Sequence, residues 1–275
     1  MISSKYHKVA IHGVPRSGTS WLGEVLNSAE HVLYRYQPLF SYAHKDFLTE
    51  HSSSSDVERF FDRLVECEDD FTNQLESRRQ GKKPSFRKRR ITHVVYKEVR
   101  YMNILQNMMS VTNDVMLIAI VRNPLAVLDS WFRAPREFRW DLGWRESEEW
   151  CHAAKKNLGR SEEYFGFEKW KEAANLFLEL SRLYPDRVKI VSYLDLLKNP
   201  AEETGRIFRF AKLPVTEQTT RFLRDSTSKG VDGDYAVYRC KRNDLAWKGR
   251  LPEEIVALVI DELKETPLER FLQLK

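Results

Sequence analysis

The sequence predicts a single α/β domain over residues 1–275, with a central, mainly parallel β-sheet flanked by helices. Three observations predict it. Val9-Ala10-Ile11 runs through a Gly/Pro/Ser turn into an apolar-periodic helix beyond Gly18, which is a strand–loop–helix unit. Val115 to Val121 is an unbroken apolar run of strand length between polar residues. Strand-like and helix-like segments then alternate at the spacing of βαβ units, which implies parallel strands and right-handed crossovers.

Bulk composition narrows the class. The chain has 275 residues, 42% apolar and 31% charged, the balance of an ordinary globular protein. A net charge of +5 favours an anionic ligand or surface. Cys67, Cys151 and Cys240 are odd in number and far apart, with neither a disulfide framework nor metal-ligand spacing. The first residues lack an apolar signal core, and no stretch is long enough to span a membrane, so the expectation is a cytoplasmic protein.

Taken in order, His31 to Tyr36 alternates like a second strand and ends at Gln37-Pro38-Leu39. Residues 56–78 carry helical apolar spacing, as one helix or two, with Asp56 as the expected N-cap. The basic run from Arg78 to Arg90, built around Gly81 and Pro84, reads as a solvated loop, with a polyanion contact as the sharper alternative. Ile91 to Val99 is a buried strand whose charges gather at its C-terminal end, so Lys97, Glu98 and Arg100 fall where ligands of open α/β sheets collect. A helical stretch over 102–111 serves packing. Asn123 then suits an N-cap and Pro124 a first helical position. Residues 140–158 and 168–183 are expected as amphipathic helices, Val188 to Ser192 as a strand, and 200–212 and 251–263 as helices, with a polar tail over 225–248.

The chemistry concentrates in two places. Gly13 and Gly18 stand five apart, as in the GxxxxGK[ST] phosphate loop, but Thr19 occupies the lysine position and the cation has moved to Arg16 inside the loop. Unpaired N–H groups at the head of the following helix attract an anion. Arg122 closes the apolar strand, and Ser130, eight residues on, lies two turns into the next helix, so a guanidinium and a hydroxyl can converge on a second oxyanion. Two anion sites on neighbouring elements suit a nucleotide with phosphate at both its 5′ and 3′ positions.

Pro15-Arg16-Ser17-Gly18-Thr19-Ser20-Trp21 resembles the 5′-phosphosulfate loop of sulfotransferases that use 3′-phosphoadenosine 5′-phosphosulfate (PAPS), and Val121-Arg122-Asn123-Pro124 with Ser130 resembles their 3′-phosphate motif. Tyr193-Leu194-Asp195-Leu196 with Asn199-Pro200 is similar to their late strand-end segment. Tyr36-Gln37-Pro38-Leu39 and Lys97-Glu98-Val99-Arg100 look most like the carbohydrate-type members, although Gln37 stands where a glutamate is frequent and cannot act as a base. The similarity covers about residues 8–212. It implies a P-loop NTPase-like fold and in-line transfer of a sulfuryl group from PAPS, without a metal, to a hydroxyl or amine of a carbohydrate, lipid or small-molecule acceptor.

The donor is then expected on Arg16, Ser17, Gly18, Thr19, Ser20, Trp21, Arg122 and Ser130, with Trp21 stacked on the adenine. Lys229-Gly230, or alternatively Lys248-Gly249, would close over the 3′-phosphate. Arg16 and Glu98 are the expected catalytic residues, Arg16 as the electrostatic stabiliser and Glu98 as the base, with His12, His44 and His93 as weaker bases. Residues 40–50 and 134–150 are expected to line the acceptor side. A kinase with a degenerate phosphate loop is the alternative, argued against by the missing lysine. A nucleic-acid or polyanion binder using residues 82–90 is a third reading, and no nucleic-acid partner is expected. The sequence leaves the oligomeric state open.

Overall fold

The five strands β1 (His7–His12), β2 (Val32–Tyr36), β3 (His93–Glu98), β4 (Val115–Val121) and β5 (Val188–Ser192) lie in the order β2-β3-β1-β4-β5, every neighbouring pair parallel. The architecture comes from a computed structural model that describes residues 6–228, 237 and 244–274. All strands point their C-terminal ends to one edge, where an open α/β sheet takes its ligands. Among the described residues no helix is long and apolar enough to cross a membrane.

The two faces of the sheet follow from side-chain alternation along the strands. Val9, Ile11, Val95, Ile118 and Ile120 face one core together with Trp21, Leu22, Val25 and Leu26 of the helix Thr19–Asn27. Ala10, Val94, Tyr96, Leu117 and Ala119 face the other, which holds the helices Ser54–Glu66, Pro124–Phe132 and Phe167–Leu183. Both β3 and β4 are buried along their whole length, which explains their apolar content.

Register sets the height of each functional residue. His12 pairs with Glu98 on one side and Ala119 on the other, so β1 ends level with β3 while β4 runs two residues further. Gly13 then passes so close to β4 that a Cβ would sit 2.6 Å from the Ile120 carbonyl oxygen. At the other side of β4, Val121 pairs with Ser192, which brings Arg122 and Tyr193 side by side at the sheet edge.

Three sequence expectations change. The N-cap at Ser54–Glu66 is Ser53, and Asp56 is its partner in a reciprocal capping box. No continuous helix spans 140–158: the chain makes short turns at Trp140–Leu142, Glu146–Glu149 and Ala154–Asn157, because Gly143, Ala153 and Leu158 take left-handed backbone at φ 72°, 50° and 52°. A helix over Glu217–Ser228, absent from the sequence expectation, packs Phe222 and Leu223 into the core.

The basic run is a strap as well as a surface loop. Arg78 makes a forked ion pair with Glu24 at 2.9 and 3.3 Å, and the Glu24 side chain is only 1% exposed. Lys88 donates to the backbone carbonyls of Asn27 and Ala29 at the C-terminal end of the first helix, where a cation complements the free carbonyls. Burial pushes the Lys88 ammonium down to about 7. Replacing Arg78 by Met leaves Glu24 charged and unpaired by arginine in the core, so we expect a loss of about 3–5 kcal/mol of stability, measured by urea unfolding. A loss below about 1 kcal/mol would return the run to a solvated loop.

Candidate active site

The loop between β1 and the helix Thr19–Asn27 is bent around two left-handed residues, Arg16 at φ 73° and Gly18 at φ 92°. A left-handed conformation costs a non-glycine residue about 1 kcal/mol or more, and such strain collects at functional sites. At Gly18 a side chain is excluded as well, since a Cβ would lie 2.4 Å from the Tyr193 ring. The N–H of Ser17 donates to Val14 O at 3.2 Å, and backbone bonding resumes with Trp21 donating to Gly18 O. Among the described residues Gly18, Thr19 and Ser20 have no backbone acceptor, so three N–H groups remain for an anion. Ser17 therefore departs from the expectation: its N–H is spent in the turn, and its buried hydroxyl lines a small internal cavity with Ile120 and Trp170.

The second anchor is tied directly to the first. Arg122 donates from Nη1 to the Arg16 carbonyl at 2.9 Å, and Arg16 donates from Nε to Ser130 Oγ at 3.0 Å. Arg122 Nε is held by Asp244 at 2.6 Å, and its guanidinium lies over the Tyr193 ring, 4.7 Å from the centroid. Burial raises the Asp244 carboxyl, and the Arg122 charge draws it back down. Asn123 caps the helix Pro124–Phe132 as expected, accepting from the Leu125 N–H, and so aims Ser130 at the loop. Trp21 is 3% exposed and its Nε1 donates to Ser226 Oγ at 3.0 Å, with its ring edge to Tyr193. It lines the cleft but is locked into the core.

The remaining walls come from β2, β3 and the loops near Phe165 and Glu137. Lys97 is 1% exposed and lies 4.2 Å over the Tyr36 ring, and burial holds its pKa well below the usual lysine range. Gln37, at φ 43°, donates its N–H to Lys97 O and accepts from Arg100 Nη1 at 3.3 Å. Arg100 also pairs with Glu163 at 2.8 Å and stacks on Phe40 at 4.1 Å.

Glu98 does not share this wall. Alternation along β3 turns Lys97 toward the cleft and Glu98 to the opposite face, where Oε1 accepts the Leu39 N–H at 2.8 Å. The expected base is thus a fully buried brace for the Gln37–Leu39 turn, and it is not among the cleft-lining residues. His12 points to the same face, 3.2 Å from the Tyr96 hydroxyl, and burial pushes it down to about 3. His93 bonds Ala211 O, and His44 is buried beside Phe60. None of the three lines the cleft. Lys229 and Gly230 lie outside the described residues. Lys248 donates to Leu274 O at 2.6 Å, away from the cleft.

Arg16, Gly18, Thr19, Ser20, Trp21, Arg122 and Ser130 thus meet in one cleft at the sheet edge. A sulfotransferase-domain family model matches residues 7–234, most of the chain and all of these groups. The chain belongs to the sulfotransferase family. Human carbohydrate sulfotransferase 3 is 25% identical over 154 residues, which is 53% of this chain and 31% of the relative, so the chain spans about a third of that protein's length. The mouse sulfotransferase SULT7A1, solved with PAP, superposes with a TM-score of 0.55 at 14% identity, covering 96% of this chain and 86% of that one. Retinol dehydratase, solved with androsterone and the inactive cofactor PAP, gives 0.54 at 17% identity, covering 95% and 82%. These structures share the sulfotransferase fold with this chain.

Sequence reasoning missed Phe165 and Asp244, which carry no local signal, placed Glu137 only within the 134–150 segment expected on the acceptor side, and passed over Tyr193, which was visible only as part of a strand-end segment.

Glu98 carries a pH signature. Burial pushes its carboxyl up to about 7 from an ordinary 4.5, with Lys97 and the Leu39 N–H opposing the shift. The folded protein therefore binds this proton more tightly than the unfolded chain, so its contribution to stability falls as pH rises from about 4.5 through 7. Glu98→Gln should flatten that fall by on the order of 3 kcal/mol, seen in denaturant unfolding at stepped pH. Parallel pH curves for the two proteins would contradict the assignment.

Proposed function

We propose that this sulfotransferase transfers a sulfuryl group from PAPS to a hydroxyl or amine of a carbohydrate, lipid or small-molecule acceptor. The observation that carries the proposal is the joining of the two anion anchors by the Arg122–Arg16–Ser130 hydrogen bonds. The residues fit such a donor. Three unpaired N–H groups with Thr19 and Ser20 hydroxyls suit a 5′-phosphosulfate, while the unused Arg122 protons and the Ser130 hydroxyl suit a 3′-phosphate. When bound, PAPS supplies an activated sulfuryl group on a phosphate leaving group.

The protein supplies preorganised charge. Negative charge grows on the oxygen between sulfur and the departing phosphate, and the Gly18 to Ser20 N–H groups with Arg16 are fixed toward it before reaction. Lys97, 1% exposed in the same wall, adds a cation for which the anionic donor favours the ammonium form. Tyr36 stays protonated, because burial pushes it up to about 12, and its hydroxyl bonds Ser20 and Gln37. Arg122, held by Asp244 and the Arg16 carbonyl, positions the far end of the nucleotide. Glu98 acts in this scheme through the turn that carries Gln37.

The two arginines should separate in titration calorimetry and turnover. Arg122→Ala should weaken binding of adenosine 3′,5′-bisphosphate (PAP) by about 10- to 100-fold, the worth of a charged hydrogen-bonded phosphate contact. Arg16→Ala should lower turnover at saturating PAPS by about 100-fold or more, beyond its effect on affinity. PAP binding that is unaffected by Arg122→Ala, or turnover that survives Arg16→Ala at saturation, would contradict the proposal.

A further inference from the structure

Nearly every charged group on the cleft wall is a cation, as a phosphosulfate site requires: Arg16, Lys97, Arg100 and Arg122. Among the described residues one lining group is a carboxylate, Glu137. An acid there opposes the anionic donor, and its charge reaches Tyr36, Lys97 and Arg100. A carboxylate placed against the binding interest of its own cleft has its use in another step.

Its setting suits proton transfer. Glu137 follows the helix Pro124–Phe132, which carries Ser130, and its backbone is fixed at both ends. The N–H donates to Ala134 O at 2.8 Å and the carbonyl accepts from Trp131 Nε1 at 3.3 Å. Oε2 accepts from Lys156 Nζ at 2.7 Å, and that ammonium rests 4.6 Å over the ring of Phe165, itself a cleft wall. Glu137 and Lys156 are each about one-fifth exposed, at 19% and 18%, so the carboxylate opens on the cleft from an oriented position. Glu98 and the three histidines have no such access.

We propose that Glu137 is the general base of the transfer, an assignment that rests on the cleft being the PAPS site. The acceptor oxygen attacks sulfur and forms a new S–O bond as its proton passes to the Glu137 carboxylate. The bond between sulfur and the bridging oxygen of the 5′-phosphate breaks, and its electron pair leaves with that phosphate as PAP. The Glu137 proton is later lost to solvent. Lys156 is a positioning residue: it holds one carboxylate oxygen and favours the ionised form. Among the described residues the ionisable groups facing Glu137 include Lys156, Lys97, Arg100 and Tyr36, three of them basic.

The test compares Glu137→Gln and Lys156→Met in the full chain. PAP affinity is read by calorimetry. Transfer is read as PAP released from PAPS with water as the acceptor, and as sulfated product from a panel of sugars, glycans and phenols. Glu137→Gln should bind PAP at least as tightly as the wild type, keep the melting temperature, lose about 100-fold or more in transfer, and lose the acidic limb of the pH–rate profile. Lys156→Met should retain transfer with that limb moved to higher pH, which a merely structural ion pair would not produce. Wild-type transfer in Glu137→Gln with an unchanged pH profile overturns the assignment. Failure of the wild-type protein to bind PAP overturns the donor reading and the base assignment with it.

Discussion

The structure depends on one hydrogen-bonded brace between segments more than a hundred residues apart. Arg122 donates to the carbonyl of Arg16, and Arg16 donates to Ser130. The brace exists because β1 and β4 are neighbours, and because β4 extends two residues beyond the level at which β1 turns away. Neither arginine is therefore a lone loop cation. The Arg122 guanidinium also fixes the backbone of the loop that carries Arg16, so the spacing between the two segments is set by the sheet. Left-handed strain at Arg16 is sustained by these same contacts.

Side-chain alternation then divides labour among adjacent residues. On β3, Lys97 enters the cleft and Glu98 supports the turn that carries Gln37, one residue apart but on opposite faces. On β1, His12 is carried to the Glu98 face, where it meets Tyr96 instead of the loop after β1. The helix behind the loop is anchored from its far end by Arg78 and Lys88, so the N–H groups at its head are presented by a rigid element. The facing wall of the cleft is built instead from loops around Glu137 and Phe165. Those loops are the part of the cleft that sequence change can alter without disturbing the sheet.

Much of this was legible in the residues. The apolar runs of β1, β3 and β4, the Gly13–Gly18 spacing and the Asn123-Pro124 helix start each depend on local chemistry, and each appears where expected. Residues 140–158 misled because aromatic spacing resembled a helical stripe, while Trp140 and Trp144 in fact pack around Phe138 from either side of the left-handed Gly143. Arg78 looked like surface charge because its partner Glu24 lies 54 residues away. Glu98 looked like a base because a sequence gives its position on a strand but not which face the cleft occupies. Asp244 was out of reach for the same reason: what makes it significant is a partner distant in the chain. Glu137 fell within the segment 134–150 expected on the acceptor side, but nothing local singled it out.

The central claim is that the two braced anchors hold the two ends of one nucleotide. A crystal structure with PAP tests it most directly. The account predicts the 5′-phosphate on the N–H groups of Gly18, Thr19 and Ser20, with the 3′-phosphate on Arg122 and Ser130 of the same molecule. A nucleotide that occupies one anchor only, or that lies with its 3′-phosphate away from Arg122, would contradict it.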